Sequence, residues 1–280
     1  MKLLRYGPAG SEKPGLLDAE GRIRDLSAHL PDLTPERLSD ESLAALRKLD
    51  PNALPLVNGT PRIGIPVAGI RQCVAIGLNY RKHALEANMP IPEEPVIFFK
   101  AITSLSGPND DIVLPPKSQA TDWEIELAIV IGRKAQRVAE VQALDHVAGY
   151  AIANDVSERD WQIKRGGQWS KGKSFDTFCP LGPWLVTRDE LPNPQTLSVE
   201  LKVNGTVKQS SNTEDMIFGC AKIVSYCSQF MTLLAGDVII TGTPGGVGVA
   251  RKPQEFLREG DTVQLKIARL GEQTQHVRTK

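Results

Sequence analysis

The sequence predicts a protein of mainly β structure with some α-helix, an α+β fold. Most apolar stretches are short, alternate with polar residues and end at glycine or proline, a pattern typical of β-strands. The 280 residues include 24 Gly and 20 Pro, which predicts frequent turns between short elements. Only a few segments show the three- to four-residue apolar spacing of helices. A chain of this length suits one large β-rich domain, or a large domain with a small appendage.

Composition argues against several classes of function. The 33 basic residues are balanced by 33 acidic ones, so no basic excess points to nucleic acid or to an anionic membrane. No run reaches the roughly 18 apolar residues of a membrane span, and residues 1–14 lack the apolar core of a signal peptide. Cys73, Cys179, Cys220 and Cys227 form neither a CxxC motif nor a disulfide framework. We therefore expect a cytoplasmic protein with reduced thiols and without nucleic-acid or membrane partners.

The first 70 residues are predicted to form a small N-terminal domain. Its expected elements are a strand at Leu3–Tyr6, two strands within residues 15–26, and helical stretches from Thr34-Pro35 and around Leu43, Leu46 and Leu49. Residues 50–70 are rich in proline and glycine. We therefore place a boundary near residue 70 and a larger second domain at residues 71–280.

The second domain is predicted to consist mainly of strands around one long helix. Asn204-Gly205 is a strong hairpin signal. Asn212 or Thr213 can cap a helix that runs to about Leu234, along which apolar residues recur mostly every three or four positions from Met216, before a glycine that can end it. Residues 155–183 are polar and contain several glycines, so we expect an irregular segment of the kind that often forms a lid. Further strands are expected at residues 71–77, 95–100, 121–132, 146–155, 184–187, 197–203, 207–209, 238–240, 262–268 and 273–277.

The strand at residues 121–132 carries the strongest functional signal. Asp122, Glu124 and Glu126 alternate with apolar residues, the pattern of a half-buried strand. Side chains two residues apart on a strand point to the same side, about 6.5–7 Å apart, so Glu124 and Glu126 project together. A polar edge facing solvent would give the same alternation. Two features favour a functional pair: like charges this close repel each other, and the strand becomes wholly apolar just after them.

Two carboxylates on one side of a strand require a cation. Only oxygen ligands are available, so the cation should be a hard one, namely Mg²⁺, Mn²⁺ or Ca²⁺. The next apolar run, residues 146–155, ends at Asp155. Strand ends are where sheet proteins tend to place functional side chains. Glu124, Glu126 and Asp155 are therefore the candidate metal ligands.

His83 and Glu86 form a candidate acid–base pair. They lie three residues apart in residues 78–87, a segment of helical composition after the first strand of the second domain, and so share one face. A carboxylate beside an imidazole orients the ring and raises its basicity, as behind a general base. A surface pair or a capped helix end would explain the same spacing. The position at the end of a strand favours the catalytic alternative.

Two glycine-rich segments are similar to nucleotide-binding motifs but lack the flanking elements or the glycine spacing that those motifs require. Residues 167–174 satisfy G-x-x-x-x-G-K-[ST], but no buried strand precedes them and Phe175–Pro180 runs into proline instead of a helix. We expect this segment to supply Lys173 to the site as a single cation. Residues 241–248 lack the spacing of a dinucleotide fingerprint. Their backbone and the Thr243 hydroxyl are better suited to holding an anion.

Five motifs in the same order resemble the fumarylacetoacetate hydrolase superfamily, over a region from about Ala75 to the C-terminus. They are Gly77-Leu-Asn-Tyr-Arg-Lys-His-Ala-Leu-Glu86, Asp122-Trp-Glu-Ile-Glu126, Asn154-Asp-Val-Ser-Glu-Arg-Asp-Trp-Gln162, Gly172-Lys-Ser-Phe-Asp176 and Thr241-Gly-Thr-Pro244. The resemblance implies a mixed β-roll catalytic domain, a divalent metal (usually Mg²⁺) and a homodimer or a dimer of dimers.

The resemblance also implies a role for each candidate residue. Glu124, Glu126 and Asp155 would be the metal ligands, and His83 with Glu86 would activate water. The residues that would contact substrate oxygens are Arg81, Arg159, Gln162 and Lys173, with Thr243 at the substrate carboxylate.

The implied reaction is Mg²⁺-dependent hydrolysis of a C–C bond in a 2,4-diketo acid. The metal would act as a Lewis acid beside the developing enolate charge, and activated water would attack the C4 carbonyl. The whole chain resembles a bacterial subgroup labelled ureidoglycolate lyase or 2,4-diketo-3-deoxy-L-rhamnonate/fuconate hydrolase. We favour conversion of 2,4-diketo-3-deoxy-L-rhamnonate to pyruvate and L-lactate in sugar-acid catabolism. Ureidoglycolate cleavage, decarboxylation or isomerisation of an oxo-diacid, and an inactive metal-binding scaffold are the alternatives.

Overall fold

A computed structural model describes residues 1–86 and 88–279 and confirms the α+β fold, in which strands predominate. Ala87, at the end of the predicted helical segment, and Lys280, at the end of the predicted second domain, lie outside the described residues. The strands are β1 (Lys2–Tyr6), β2 (Lys13–Leu17), β3 (Ile23–Asp25), β4 (Cys73–Gly77), β5 (Val96–Lys100), β6 (Leu105–Ser106), β7 (Ile112–Val113), β8 (Thr121–Asp122), β9 (Ile125–Ile131), β10 (Val147–Asn154), β11 (Ser157–Glu158), β12 (Cys179–Thr187), β13 (Ser198–Val203), β14 (Thr206–Asn212), β15 (Val238–Ile240), β16 (Thr262–Ile267) and β17 (Gly271–Arg278).

The helices are short. They are α1 (Asp40–Arg47), α2 (Arg81–Glu86), α3 (Glu140–Ala143), α4 (Arg159–Ile163), α5 (Ser170–Lys173) and α6 (Cys220–Phe230). Single turns of 3₁₀-helix lie at Pro35–Arg37, Pro51–Ala53, Ile102–Ser104, Leu144–His146, Thr213–Asp215 and Gly248–Ala250. Within the described part of the chain, no helix combines the length and the apolar character needed to cross a membrane.

Most strands belong to one large mixed sheet. Its order is β3-β2-β1-β12-β10-β9-β15-β4-β5, with β6 paired to β12. A five-stranded sheet, β14-β13-β16-β17-β7, and the pair β11-β8 complete the strand pairing of the described residues. β9 therefore lies inside the large sheet, antiparallel to β10 on one side and to β15 on the other.

The large sheet has an apolar core on each face. On one face Leu127 and Ile129 of β9 pack in the same core as Leu201 of the five-stranded sheet. On the other face Ala128 of β9 shares a core with Leu43 of α1. Successive strand residues point to opposite faces, so a strand covered on both sides is apolar at most of its positions. All of β9 is buried, and the prediction that this strand is half-buried is wrong.

The first 70 residues contribute three strands to the large sheet. β1 pairs with β12, with Leu3 opposite Leu185. The guanidinium of Arg62 donates to both carboxylate oxygens of Asp110, at 2.8 and 2.5 Å. Strand pairing and this ion pair therefore both cross residue 70. The division of the chain into domains at 1–70 and 71–280 stays a prediction.

The hairpin predicted at Asn204-Gly205 joins β13 to β14. Asn204 has φ +50° and Gly205 has φ +75°. Positive φ at both central residues is the geometry that a two-residue hairpin turn prefers, because its twist matches that of the strands. Local turn chemistry was therefore sufficient to locate this element.

The long helix predicted over residues 212–234 is divided, and this prediction is wrong. The 3₁₀ turn at Thr213–Asp215 is followed by non-helical residues, and α6 begins only at Cys220. The amide of Asn79 accepts a hydrogen bond from the Phe218 backbone N–H at 2.8 Å and donates one to its carbonyl at 3.0 Å. Because the side chain of Asn79 occupies these backbone groups, they do not take part in a helical ladder.

The segment at residues 155–183 is more regular than predicted, since it contains β11, α4 and α5. Arg159 and Gln162 of α4 and Lys173 of α5 are buried. The irregular segment was predicted from the polar composition and the glycines of residues 155–183, and the sequence does not show that several of these polar side chains are buried. The prediction of an irregular segment is wrong for these residues.

We expect Gly149→Ala to destabilise the protein. A Cβ atom on Gly149 in β10 would lie 2.2 Å from the backbone oxygen of Val186 in the paired strand. Strand backbone cannot move aside as a flexible side chain can, so the free energy of unfolding should fall by about 3 kcal/mol in urea denaturation. Gly59→Ala is the control for backbone strain alone, because φ is +77° and nothing lies within 4 Å. Equal losses in the two variants would contradict the clash.

Candidate active site

The three predicted metal ligands meet where the start of β9 adjoins the end of β10. Glu124 precedes β9, Glu126 lies on it, and Asp155 follows β10. The two strands are antiparallel, with Ala153 of β10 opposite Glu126. One carboxylate oxygen from each acid lies within 4.8 Å of the other two. Glu124, Glu126 and Asp155 are 5%, 2% and 0% exposed, which rules out a polar edge facing solvent.

Two buried lysines bind the carboxylate of Asp155, one at each oxygen. The Nζ of Lys173 lies 2.6 Å from Oδ2 of Asp155 and 2.7 Å from Oε2 of Glu124. The Nζ of Lys100 lies 2.5 Å from Oδ1 of Asp155 and also donates to the carbonyl of Lys173. Burial works against a charged lysine, but the charges of Asp155 and Glu124 outweigh it and raise the pKa of Lys173. Lys173 therefore acts as an ammonium ion, and the hydrogen bonds of the two lysines orient the carboxylates.

Arg159 joins Glu124 to a fourth buried acid. Its Nη2 lies 2.7 Å from Oε1 of Glu124 and 2.7 Å from Oδ2 of Asp122. Its Nη1 donates to Oε1 of Gln162 at 2.9 Å. Asp122 also accepts the backbone N–H of Gly248 at 2.7 Å. This network places the guanidinium and the Gln162 amide on the same side of the site.

The buried charges leave an excess of negative charge. The acids are Asp122, Glu124, Glu126 and Asp155, and the cations are Lys100, Arg159 and Lys173. Among the described residues Glu126 forms no ion pair, and its Oε2 accepts the Gly242 N–H at 2.7 Å. Burial and the charges of Asp155 and Glu124 raise the pKa of Glu126 well above its ordinary value. A divalent cation would relieve this repulsion, and an all-oxygen donor set fits Mg²⁺, Mn²⁺ or Ca²⁺.

The pKa of Glu124 is shifted in the opposite direction. Burial opposes its ionisation, but the charges of Lys173 and Arg159 outweigh burial and lower its pKa to about 2. A lowered pKa means that folding favours the carboxylate. The stabilisation is therefore present above the ordinary pKa of a glutamic acid and is lost as the pH falls toward 2. Glu124 is a paired anion at neutral pH, whereas Glu126 still requires a positive partner.

His83 and Glu86 are in hydrogen-bond contact. Nδ1 of His83 lies 2.9 Å from Oε1 of Glu86. The backbone N–H of Gly246 lies 3.0 and 2.9 Å from the two Glu86 oxygens and fixes the carboxylate. When Glu86 accepts the proton on Nδ1, Nε2 of the ring carries the lone pair. This arrangement orients Nε2 of His83 as an acceptor of protons.

A cavity of about 310 Å³ gives access to these groups. The predicted site residues that line it include His83, Glu124, Glu126, Arg159, Gln162 and Lys173. A chamber of this size accommodates a small organic acid and places a base, two carboxylates and two cations around it. Asp155 is fully buried next to Lys173.

Arg81 and Thr243 occupy positions that limit their predicted roles as substrate contacts. Arg81 donates to the carbonyl of Met216 at 3.0 Å, and it is absent from the described residues that line the cavity. Thr243 does line the cavity. Its hydroxyl donates to the Ile125 carbonyl at 2.9 Å and accepts from Nε2 of Gln209 at 2.8 Å. The proton of the Thr243 hydroxyl is therefore already donated to a backbone carbonyl. The substrate contacts of Arg81 and Thr243 stay predictions.

Lys100, Asp122 and Trp169 are among the site residues that sequence reasoning missed. Lys100 ends an apolar strand and is 3% exposed, and a lysine in such a run was an available signal. Asp122 shares the alternation of Glu124, which was a second signal. Trp169 lines the cavity because its ring packs over Gly77. No local pattern indicates that contact, since the two residues are far apart in the chain.

Comparison with known proteins gives one family. The family described as "Fumarylacetoacetate (FAA) hydrolase C-terminal" matches residues 72–278. A protein of Burkholderia cenocepacia strain HI2424, named as a candidate hydrolase, is 60% identical over 279 residues, 99% of each chain. The structure of a fumarylacetoacetate hydrolase from Exiguobacterium antarcticum is similar with TM-score 0.88 and 35% identity, covering 100% of each chain.

A second similar structure holds a metal ion and an organic acid. It is a maleylpyruvate hydrolase from Sphingobium sp. SYK-6 in complex with manganese(II) and pyruvate. The TM-score is 0.82 with 30% identity, covering 100% of this chain and 99% of that one. The family match spans every predicted site residue, from Arg81 to Thr243.

We expect Glu126→Gln to stabilise the metal-free protein. The change removes a carboxylate whose ionisation is disfavoured by burial and by repulsion from Asp155 and Glu124, while the amide oxygen can still accept the Gly242 N–H. In EDTA at neutral pH, Tm should rise by about 2–4 °C, corresponding to about 1 kcal/mol, in melts followed by circular dichroism. Because a raised pKa disfavours only the ionised form, the gain should disappear below the ordinary pKa of glutamic acid.

The same melts repeated with Mn²⁺ test the ligand role. Mn²⁺ should raise the Tm of the wild-type protein and leave that of Glu126→Gln unchanged. Glu158→Gln is the matched control, because Glu158 is a buried carboxylate bound by the Thr121 hydroxyl at 2.7 Å and lies outside the cluster. A lower Tm for Glu126→Gln in EDTA, or a normal Mn²⁺ shift in that variant, would contradict this account.

Proposed function

Because the chain belongs to the fumarylacetoacetate hydrolase family, we propose that it is a metal-dependent hydrolase that cleaves the C3–C4 bond of a 2,4-diketo acid. The observation that carries the proposal is a buried cluster of three carboxylates beside a histidine–glutamate pair in one cavity. The similar maleylpyruvate hydrolase complex, with manganese(II) and pyruvate, supports a divalent cation and a 2-oxo acid at such a site. Mg²⁺ is the proposed cofactor, with Mn²⁺ or Ca²⁺ as alternatives.

Glu124, Glu126 and Asp155 hold the cation in this proposal. When bound, the cation supplies Lewis-acid polarisation of the substrate's keto and carboxylate oxygens. Lys173 and Arg159 add fixed positive charge at the same cavity and orient substrate oxygens by charge-assisted hydrogen bonds. Together these groups favour the negative charge that appears on the pyruvate half as the C–C bond breaks.

His83 acts as the general base toward water. Nε2 takes a proton from the water molecule while Glu86, bound to Nδ1, stabilises the imidazolium. The water oxygen bonds to C4, the C3–C4 bond breaks, and its electron pair passes to C3. The resulting enolate of pyruvate takes up a proton at C3. The products are pyruvate and a carboxylic acid, and one water molecule is consumed.

The sequence resemblance favours 2,4-diketo-3-deoxy-L-rhamnonate as the substrate, with pyruvate and L-lactate as products in sugar-acid catabolism. Cleavage of ureidoglycolate would instead give glyoxylate and urea. Decarboxylation or isomerisation of an oxo-diacid is the remaining enzymatic alternative. An inactive metal-binding scaffold would turn over none of these compounds. A homodimer or dimer of dimers and a cytoplasmic location stay predictions.

Release of pyruvate from a panel of 2,4-diketo acids tests the proposed reaction. With Mg²⁺, the purified protein should release pyruvate from at least one member, measured as NADH oxidation by coupled lactate dehydrogenase. EDTA should abolish the release and added Mg²⁺ should restore it. Activity confined to ureidoglycolate or to an oxo-diacid would refute the proposal in favour of that alternative. No turnover of any compound would support the scaffold.

His83→Ala should lower kcat by about 10²–10⁴-fold, the usual contribution of a general base. The Mn²⁺-induced rise in Tm should be unchanged, because His83 is not one of the carboxylate ligands. His146→Ala is a matched control, since the His146 ring contacts the Lys134 carbonyl at 2.8 Å and is not among the described residues that line the cavity. A His83→Ala enzyme with an unaltered kcat would remove this residue from the mechanism.

A further inference from the structure

The cavity combines buried charged groups with apolar groups nearer to solvent. Glu126 and Lys173 are each 2% exposed, whereas Met89 and Ile163 are 43% and 55% exposed. We define the apolar wall as six of the residues that line the cavity. They are Leu78, Met89, Phe98, Ile163, Trp169 and Val249. Within this wall the indole N–H of Trp169 is the one side-chain donor.

Phe98 and Trp169 connect the charged part of the cavity to the apolar wall. The Nζ of Lys173 lies 5.3 Å from the centroid of the Phe98 ring. The rings of Trp169 and Phe98 meet edge to face, with centroids 5.5 Å apart and planes at 65°. Phe98 therefore lies between the Lys173 ammonium group and the Trp169 ring, where the charged part of the cavity meets the apolar wall.

Gly77 provides the space that the Trp169 ring occupies. A Cβ atom on Gly77 would lie 2.4 Å from Cζ3 and 3.1 Å from Cη2 of Trp169. Gly77 is the last residue of β4, and it is not among the glycines with positive φ. Backbone conformation therefore does not require glycine here. The close contact with the Trp169 ring requires glycine at position 77, so the position of the ring depends on Gly77.

We propose that the apolar wall binds the tail of the diketo acid, and that the enzyme prefers a hydrocarbon tail to a hydroxylated one. A hydroxyl placed against this wall would lose hydrogen bonds to water and gain almost none. A methylene group in the same place is favoured by about 0.8 kcal/mol, or about fourfold in kcat/KM. The inference rests on the proposed diketo-acid hydrolysis. It predicts that kcat/KM is lower for the deoxy sugar acid, which has a hydroxyl at C5, than for its C5-methylene analogue.

Two six-carbon acids test the preference directly. 2,4-Dioxohexanoate and 2,4-diketo-3-deoxy-L-rhamnonate differ by one hydroxyl, and both release pyruvate in the same coupled assay. We expect kcat/KM to be about tenfold higher for 2,4-dioxohexanoate. Equal values, or a preference for the hydroxylated acid, would overturn the tail inference and leave the proposed function in place. If neither acid releases pyruvate while another member of the diketo-acid panel does, the tail inference is overturned and the proposed function stands; if no member of the panel releases pyruvate, both are overturned.

Two variants test whether Trp169 is responsible for the preference for a hydrocarbon tail. Trp169→Ala removes the ring, and Gly77→Ala displaces it without removing it. Each should reduce the ratio of the two kcat/KM values at least threefold, mainly by raising KM for 2,4-dioxohexanoate. The matched control is Trp161→Ala, because Trp161 packs edge to face on Phe175 and is not part of the cavity lining. An unchanged ratio in both variants, each with a normal circular dichroism spectrum, would overturn the assignment.

Discussion

The repulsion among carboxylates buried at the junction of β9 and β10 is the constraint on which the rest of the structure depends. Taking a carboxylate out of water is costly unless it is paired and hydrogen-bonded. Here Lys100 comes from β5, Arg159 from α4 and Lys173 from α5, so three separate segments must converge to balance the acids. The site therefore also organises the fold around it, since Arg159 and Lys173 tie α4 and α5 to the large sheet and Lys100 links β5 to the end of β10.

The same constraint separates the roles of the two glutamates. Glu124 is surrounded by cations and is held as an anion, whereas Glu126 forms no ion pair within the described residues and accepts a hydrogen bond from the Gly242 backbone. A divalent cation bound beside Glu126 would relieve the repulsion among Glu126, Asp155 and Glu124. Lys173 contributes to charge balance and to the cavity. It pairs with the acids, and it lies beside the Phe98 ring at the start of the apolar wall.

Much of the fold and site could be predicted because the signals were local. The alternation around Glu124 located the strand, and the spacing of His83 and Glu86 on one helical face agreed with their observed contact. Asn204-Gly205 likewise identified its hairpin through turn chemistry alone. In each case residues within one element determine the outcome.

Features that arise between distant segments could not be predicted. The predicted long helix is interrupted because Asn79, more than one hundred residues away, binds the backbone of Phe218. The Thr243 hydroxyl is held by Gln209 and by the Ile125 carbonyl, and the sequence does not indicate either contact. Such contacts depend on the completed tertiary structure and leave no period or spacing in the sequence.

Anomalous diffraction from crystals of the full chain grown with Mn²⁺ is the most direct test of the central claim. Data collected near the manganese absorption edge should show one strong anomalous peak per chain, within coordination distance of oxygens from Glu124, Glu126 and Asp155. Crystals without a peak at this cluster, or with manganese bound only elsewhere, would contradict the account.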